Sequence, residues 1–184
     1  MPLLDRFRPL PASRHADPDV RLAYVESLSI DEREALASAA RDDESARVRR
    51  AAVAKLMDPA VLAAIARDDA DEGVRTAAGS MLRDIALEAF EEAGEAESLA
   101  AVDALVVRPD PRIIAQIART ASREEVAHRA LASVSDERTL GSVARHAKLE
   151  SVRGVAFGRL ADHSEVLAVA MNSEFKDTAL AASK

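Results

Sequence analysis

Two sets of charged residues recur along the chain. Asp58, Asp84, Asp110, Asp136 and Asp162 stand 26 residues apart, and Arg21, Arg49, Arg75 and Arg153 each follow a valine in the pair Val-Arg. A carboxylate beside a guanidinium can hold an anion or share a proton with substrate. Carboxylates that return in every copy of a repeat are, however, poor candidates for a unique general base. His15, His128, His146 and His163 are not spaced four apart, and the chain has no HExxH, no glycine-rich phosphate loop and no GxSxG. With no cysteine there is no thiol nucleophile, disulfide framework or cysteine-held metal. The expectation is a non-enzyme without cofactor or metal.

The spacing belongs to an internal repeat. Val48, Val74, Ala100, Val126, Val152 and Thr178 are separated by 26 residues, as are Ala52, Ala78, Ala104, Ala130 and Ala156. Leu62, Ile114, Leu140 and Val166 form another column, with Ile65, Ile117, Val143 and Val169 three residues further on. An earlier copy opens at Val20 and carries two extra residues before Leu36 falls into step with Leu62. Apolar positions within a copy follow helical periodicity, so each reads as a pair of helices too short to be stable alone. Such units bury their apolar stripes by stacking. The reading is an all-α, right-handed α-solenoid of about six two-helix repeats over residues 15–184, preceded by residues 1–14 as an arm that covers the first unit or, alternatively, a docking peptide for another protein.

The charged columns have structural uses. Aspartate followed by proline, as at Asp58-Pro59 and Asp110-Pro111, marks a helix N-cap and first position. Asp162 with Glu165 and Ser122 with Glu125 have capping-box spacing. Arg67, Arg119 and Arg145 close the same helices and oppose the helix dipole. The Val-Arg arginines lie in first turns, where positive charge is unfavourable, and need partners. Asp43, Asp69 and Glu95 lie five residues before the valine column, so a ladder of acid and arginine from unit to unit is expected, Asp69 reaching forward to Arg75. Solvent exposure and a basic binding stripe are the alternatives.

Composition narrows the class. Hydrophobic content of 48% excludes wholesale disorder, and 3% aromatics with no Trp suits close-packed helices better than a β-sandwich. The net charge of -7 argues against a surface devoted to nucleic acid. The opening MPLLDRFRPLPAS has no signal-like apolar core, and no stretch approaches a membrane span. A reducing cytoplasm fits a chain without cysteine.

The phrases VRRAAVAKLMDPAVLAAIARDD, VRTAAGSML and VRGVAFGRLADHSEVLAVA resemble HEAT-like repeats of the short, phycobilin-lyase type. MPLLDRFRP, HADPDVRL, LGSVARHA and NSEFKD resemble the N-terminal region of large bacterial proteins carrying domain of unknown function three-four-nine. The resemblance implies a superhelix whose Val-Arg helices line an inner face that binds a protein partner. Candidate contacts are Arg21, Arg49, Arg50, Arg75, His128 and Arg153. The alternative is a HEAT-like nucleic-acid-binding protein or DNA glycosylase, a class that wants a basic groove and aromatic stacking surfaces. Nucleic acid and membrane are not the expected partners.

The pattern breaks in places. Ala101 and Ala127 replace the arginine in two central units. DIALEAFEEAGEAE puts Glu88, Glu91 and Glu92 where other units have Leu, Ile and Ala, implying a change of curvature or an acidic docking site that includes Glu95 and Glu97. GVAFG at 154–158 spaces two glycines for close helix approach. The chain ends inside the first helix of a seventh unit, as expected of a fragment of a longer protein.

Overall fold

Residues 11–183 are described by a computed structural model. They fold into twelve α-helices with no strand among them, the all-α class expected. The chain forms two compact units. The first, up to Met81, holds a 3-10 turn at Ala12–Arg14, α1 (Pro18–Ser27), α2 (Arg33–Asp42), α3 (Ala46–Val53), α4 (Pro59–Asp68) and most of α5 (Glu72–Ala86). The second, from Leu82, holds the end of α5, then α6 (Glu95–Val106), α7 (Pro111–Thr120), α8 (Glu124–Ala132), α9 (Glu137–His146), α10 (Glu150–Gly158), α11 (His163–Asn172) and α12 (Lys176–Ala182). The expected arm lies largely outside the described residues.

Within each unit a helix packs on those one or two places along. In the first, α2 lies against α3 and α4, and α1 against α3; in the second, α9 lies against α7, α10 and α11. The repeat columns supply the buried face. Val48, Val74, Val126 and Val152 are buried, as are Ala52, Ala78, Ala130 and Ala156, whereas Val20 stands at the surface. Small residues let the helices approach closely while the branched ones fill the space between them.

Four of the five column aspartates start helices. Asp58 accepts from the N–H groups of Ala60 and Val61 at 3.0 Å, Asp110 from Arg112 at 2.8 Å, Asp136 from Thr139 at 2.8 Å and Asp162 from Ser164 at 2.7 Å. Asp17 caps α1 in the same way, with Pro18, Pro59 and Pro111 in first positions. Asp84 departs from the rule, because it lies inside α5. Neither expected capping box forms as such. Glu165 instead accepts from Arg145 at 3.0 Å, and α8 is capped at Arg123 rather than Ser122.

The third repeat is where the two-helix plan fails. α5 runs on for 15 residues, and residues 87–94, where a second helix was expected, are irregular. The helix ends by a Schellman arrangement, the N–H of Ala89 donating to the carbonyl of Asp84 at 3.0 Å and that of Glu88 to Ile85 at 3.1 Å. Glu88 occupies the left-handed position, φ 59°, which glycine usually fills. After this segment α6 is out of register. Ala100 is exposed, and Ser98, Ala101 and Val102 face inward instead. The glycines of GVAFG make no close approach, since a Cβ at Gly154 or Gly158 would meet nothing within 4 Å.

Candidate functional site

The Val-Arg arginines share one geometry. Each points the Nη1 group back at the turn before its own helix, toward the carbonyls six and five residues earlier. Arg21 donates to His15 and Ala16 at 2.7 and 3.1 Å, and Arg49 to Asp43 and Glu44 at 2.8 and 3.3 Å. Arg75 donates to Asp69 and Ala70 at 2.6 and 3.1 Å, and Arg153 to Ala147 and Lys148 at 2.9 and 3.1 Å. A guanidinium suits the task because its fork satisfies two carbonyls on one edge and leaves the other edge free.

In Arg21, Arg49 and Arg153 the free edge reaches the next repeat. Arg21 grips Asp43 through two bonds of 2.8 and 2.9 Å, and Arg49 grips Asp69 with the same pair of distances. Arg153 donates to Asp177 at 2.9 Å and Thr178 at 3.2 Å, with its guanidinium carbon 3.7 Å from the centre of the Phe175 ring. The ladder is therefore present, with a different direction from the one expected at Asp69. The carboxylate of Asp69 faces back to Arg49, and only its carbonyl serves Arg75. Hydrogen bonds from Arg21 and Arg49 hold the Asp43 and Asp69 carboxyls below the ordinary range, and both arginines are shifted upward by the same bonds. Asp177 is lowered by the bond from Arg153, and Asp162 by its cap bonds to Ser164.

Basic residues make a second set of links between repeats. Lys55 donates to the carbonyls of Val25, Glu26 and Leu28 at the end of α1, and Arg159 to those of Leu131 and Val134 at the end of α8. The last carbonyls of a helix lack intrahelical donors and carry the negative end of its dipole. Each of these bases thus closes the first helix of the preceding repeat.

The arginine gap is filled from the opposite direction. Ala101 and Ala127 are fully buried. Arg123 reaches back to the hydroxyl of Ser98 at 3.0 Å and the carbonyl of Ala93 at 2.8 Å, and Ser98 passes a bond of 3.1 Å to the carbonyl of Ile85. Glu88 accepts from the N–H groups of Ser122 at 2.7 Å and Arg123 at 3.0 Å. A carboxylate beside the N-terminus of α8 is electrostatically favourable. The expected acidic cluster is therefore divided. Glu88 is half-buried and engaged in this junction, whereas Glu91, Glu92 and Glu95 are exposed.

The candidate contacts divide similarly. Arg21, Arg49 and Arg153 retain side-chain exposures of only 11%, 12% and 6%. Arg50 is exposed on α3, and His128 on α8 is partly exposed, 3.3 Å from the Ser151 hydroxyl and 3.6 Å from Glu124. The first helices also present Thr76 in one unit and Gly154, Val155 and Leu180 in the other. The sequence offered no direct sign of the Glu88–Arg123 junction. Its one trace was an arginine just before a helix, where positive charge is unfavourable without a partner.

Among the described residues no group of three His, Asp or Glu is placed to hold a metal, and no helix is long and apolar enough to cross a membrane. In comparisons with known proteins, no family model, curated sequence or solved structure matches the chain.

Proposed function

We propose that this chain is a protein-binding scaffold of the α-solenoid class, related to HEAT-like repeats, whose first helices carry the contact surface. The observation that supports the reading most is where the shifted charges sit. Groups with perturbed protonation commonly mark catalytic sites. Here the shifted groups are Arg21 and Asp43, Arg49 and Asp69, Arg67 beside Asp68, Asp162 and Asp177, and Arg21, Asp43, Arg49, Asp69, Arg67, Asp162 and Asp177 owe their shifts to ion pairs or helix caps. The charge that a binding stripe would need is spent on joining repeats. What remains for a partner on the first helices is mixed in character, Arg50 and Thr76 in the first unit and His128, Gly154 and Val155 in the second. Mixed polar and apolar surface suits a protein better than a phosphate backbone, which calls for clustered cations.

A photo-crosslinking amino acid placed at Thr76 or Gly154 tests this directly. Neither is buried, and a side chain at Gly154 meets no atom within 4 Å. Both positions should crosslink one discrete protein in cells, while the same group at exposed Gln116 on α7 should not. Equal labelling from Gln116, or no protein adduct together with salt-sensitive DNA binding, would overturn the proposal.

A further inference from the structure

The turn before α9 borders a hollow of about 150 Å³ within the second unit, lined in part by Pro111, Ser133 and Thr139. One repeat later the same three columns hold Glu137, Arg159 and Glu165. Those longer side chains are all engaged. Glu137 accepts from the N–H groups of Ala161 at 3.1 Å and Asp162 at 3.3 Å, Arg159 donates to the carbonyls of Leu131 and Val134, and Glu165 accepts from Arg145 at 3.0 Å. Proline cannot take the part of Glu137. The N–H groups of Ser135 and Asp136, which correspond to those of Ala161 and Asp162, accordingly meet no acceptor among the described residues. The charge beside the hollow is also uncompensated. Arg112 follows Pro111 in the first turn of α7, and Arg138 precedes Thr139 in the first turn of α9. A cation there opposes the helix dipole unless it is paired. Arg21, Arg47, Arg49 and Arg153, in first turns elsewhere, are paired with acids. Arg112 and Arg138 are exposed and form no ion pair among the described residues.

We infer that this hollow takes a glutamate or aspartate side chain from an acidic segment of a partner protein. Its carboxylate accepts from the N–H groups of Ser135 and Asp136 as Glu137 accepts from Ala161 and Asp162, and Arg112 and Arg138 attract the acidic residues on either side of it. The chain uses the same device before α8, where Glu88 accepts from the consecutive N–H groups of Ser122 and Arg123. Asp136 itself lines the hollow, with its carboxylate held by the N–H of Thr139. Glu137 has the same kind of neighbour in Asp162, which caps α11. A cap carboxylate is therefore compatible with a second acid beside it. An ionised acceptor forms the stronger bond to backbone N–H, so the site prefers a carboxylate to an amide of equal shape. It lies on turns that lead into second helices, apart from the surface assigned above to the first helices.

The probe is a short extended peptide with glutamate at its centre and aspartates to either side, titrated into the full chain labelled with nitrogen-15. The amide signals of Ser135 and Asp136 should shift saturably. Changing the central glutamate of the peptide to glutamine, or Arg112→Gln together with Arg138→Gln in the protein, should weaken binding tenfold or more. Pro111→Glu supplies a control from within the repeat, because it reproduces at the start of α7 the Asp-Glu pair that opens α9. That side chain should occupy the hollow itself, abolish peptide binding and leave Tm unchanged or higher, which separates occlusion from unfolding. Amide signals that the peptide leaves in place, a glutamine peptide that binds as tightly, or a Pro111→Glu protein that binds like the wild type would each overturn the inference. Free glutarate binding as tightly as the peptide would overturn it too, by assigning the hollow to a small acid.

Discussion

The turns at Asp43 and Asp69 in the first unit and the junction around Glu88 and Arg123 in the second meet the same need by different routes. Each must satisfy backbone groups in a turn and hold one repeat to the next. In the first unit a single residue type does both, because Arg21 and Arg49 each span from their own turn to the acid of the following repeat. In the second, the work is divided between a carboxylate in an unfavourable backbone conformation and an arginine from 35 residues later in the chain. A rule that repeats can be read from spacing. A replacement for it depends on which residues the local backbone brings together.

The sharpest way to break the comparison is to force the repeat rule into the junction. If the 26-residue register governed α6, Ala101→Arg would restore a missing rung. The helix is rotated instead, and Ala101 is 0% exposed. The acid of the column is absent too, its place taken by the buried Ala121. The substitution buries an unpaired charge, and a loss of about 4 kcal/mol in urea denaturation is expected. A neutral result would mean that α6 can turn back into register.

The next largest effect comes from removing a rung that exists. Arg49→Met strands the Asp69 carboxylate, 7% exposed, and frees the carbonyls of Asp43 and Glu44. The cost should be about 3 kcal/mol, near the lower end for breaking a buried pair, with a fall in Tm of roughly 10 °C. The pH dependence has a definite sign. Asp43 and Asp69 bind protons less readily when folded. Their stabilisation is therefore complete above the unfolded carboxylate value of about 3.9 and is lost as pH falls through the lower folded value. Arg49→Met should flatten the Asp69 part of that acid limb and leave most of the Asp43 part, which the bond from Arg21 dominates, as acid titrations of the two proteins would show.

These effects also locate what could be read in advance. Helical class, the buried valine and alanine columns, four of the aspartate caps and the existence of an arginine ladder followed from spacing, because each is fixed by contacts that recur with the repeat. The missing helix at residues 87–94 and the rotation of α6 did not. α5 stops without a glycine at its left-handed position, so the usual stop signal was absent. The candidate binding residues divide for a related reason. Arg21, Arg49 and Arg153 stood out through their regularity, and regularity there reflects stacking. Arg50 and His128, which the structure leaves more accessible, have no such regularity.

Glu88 separates two energies that oppose each other. Glu88→Ala loses both bonds to α8 and keeps a side chain at φ 59°, so a cost of about 1–2 kcal/mol is expected. Glu88→Gly loses the same bonds but relieves the left-handed conformation, worth roughly 1 kcal/mol. Glycine should therefore be the milder substitution by about that amount in chemical denaturation. If alanine is equally mild, the backbone is not strained and the carboxylate alone accounts for the residue.

The smallest expected difference lies within the aspartate column and reads the change of rule one residue at a time. Asp110→Ala and Asp136→Ala each remove a cap that accepts a backbone N–H at 2.8 Å, and each should cost about 1 kcal/mol. Asp84 occupies the same column but lies near the C-terminal end of α5, where a negative charge faces the negative end of the dipole. Its side chain meets Arg83 at 3.5 Å with both partners about two-fifths exposed, a contact worth little. Alanine is also the better helix former there. Asp84→Ala should thus be neutral or stabilising by about 0.5 kcal/mol. Thermal melts of the three variants would show whether one sequence column holds two physical roles, because an equal loss at Asp84 would require a helix to begin there, as the repeat alone had implied.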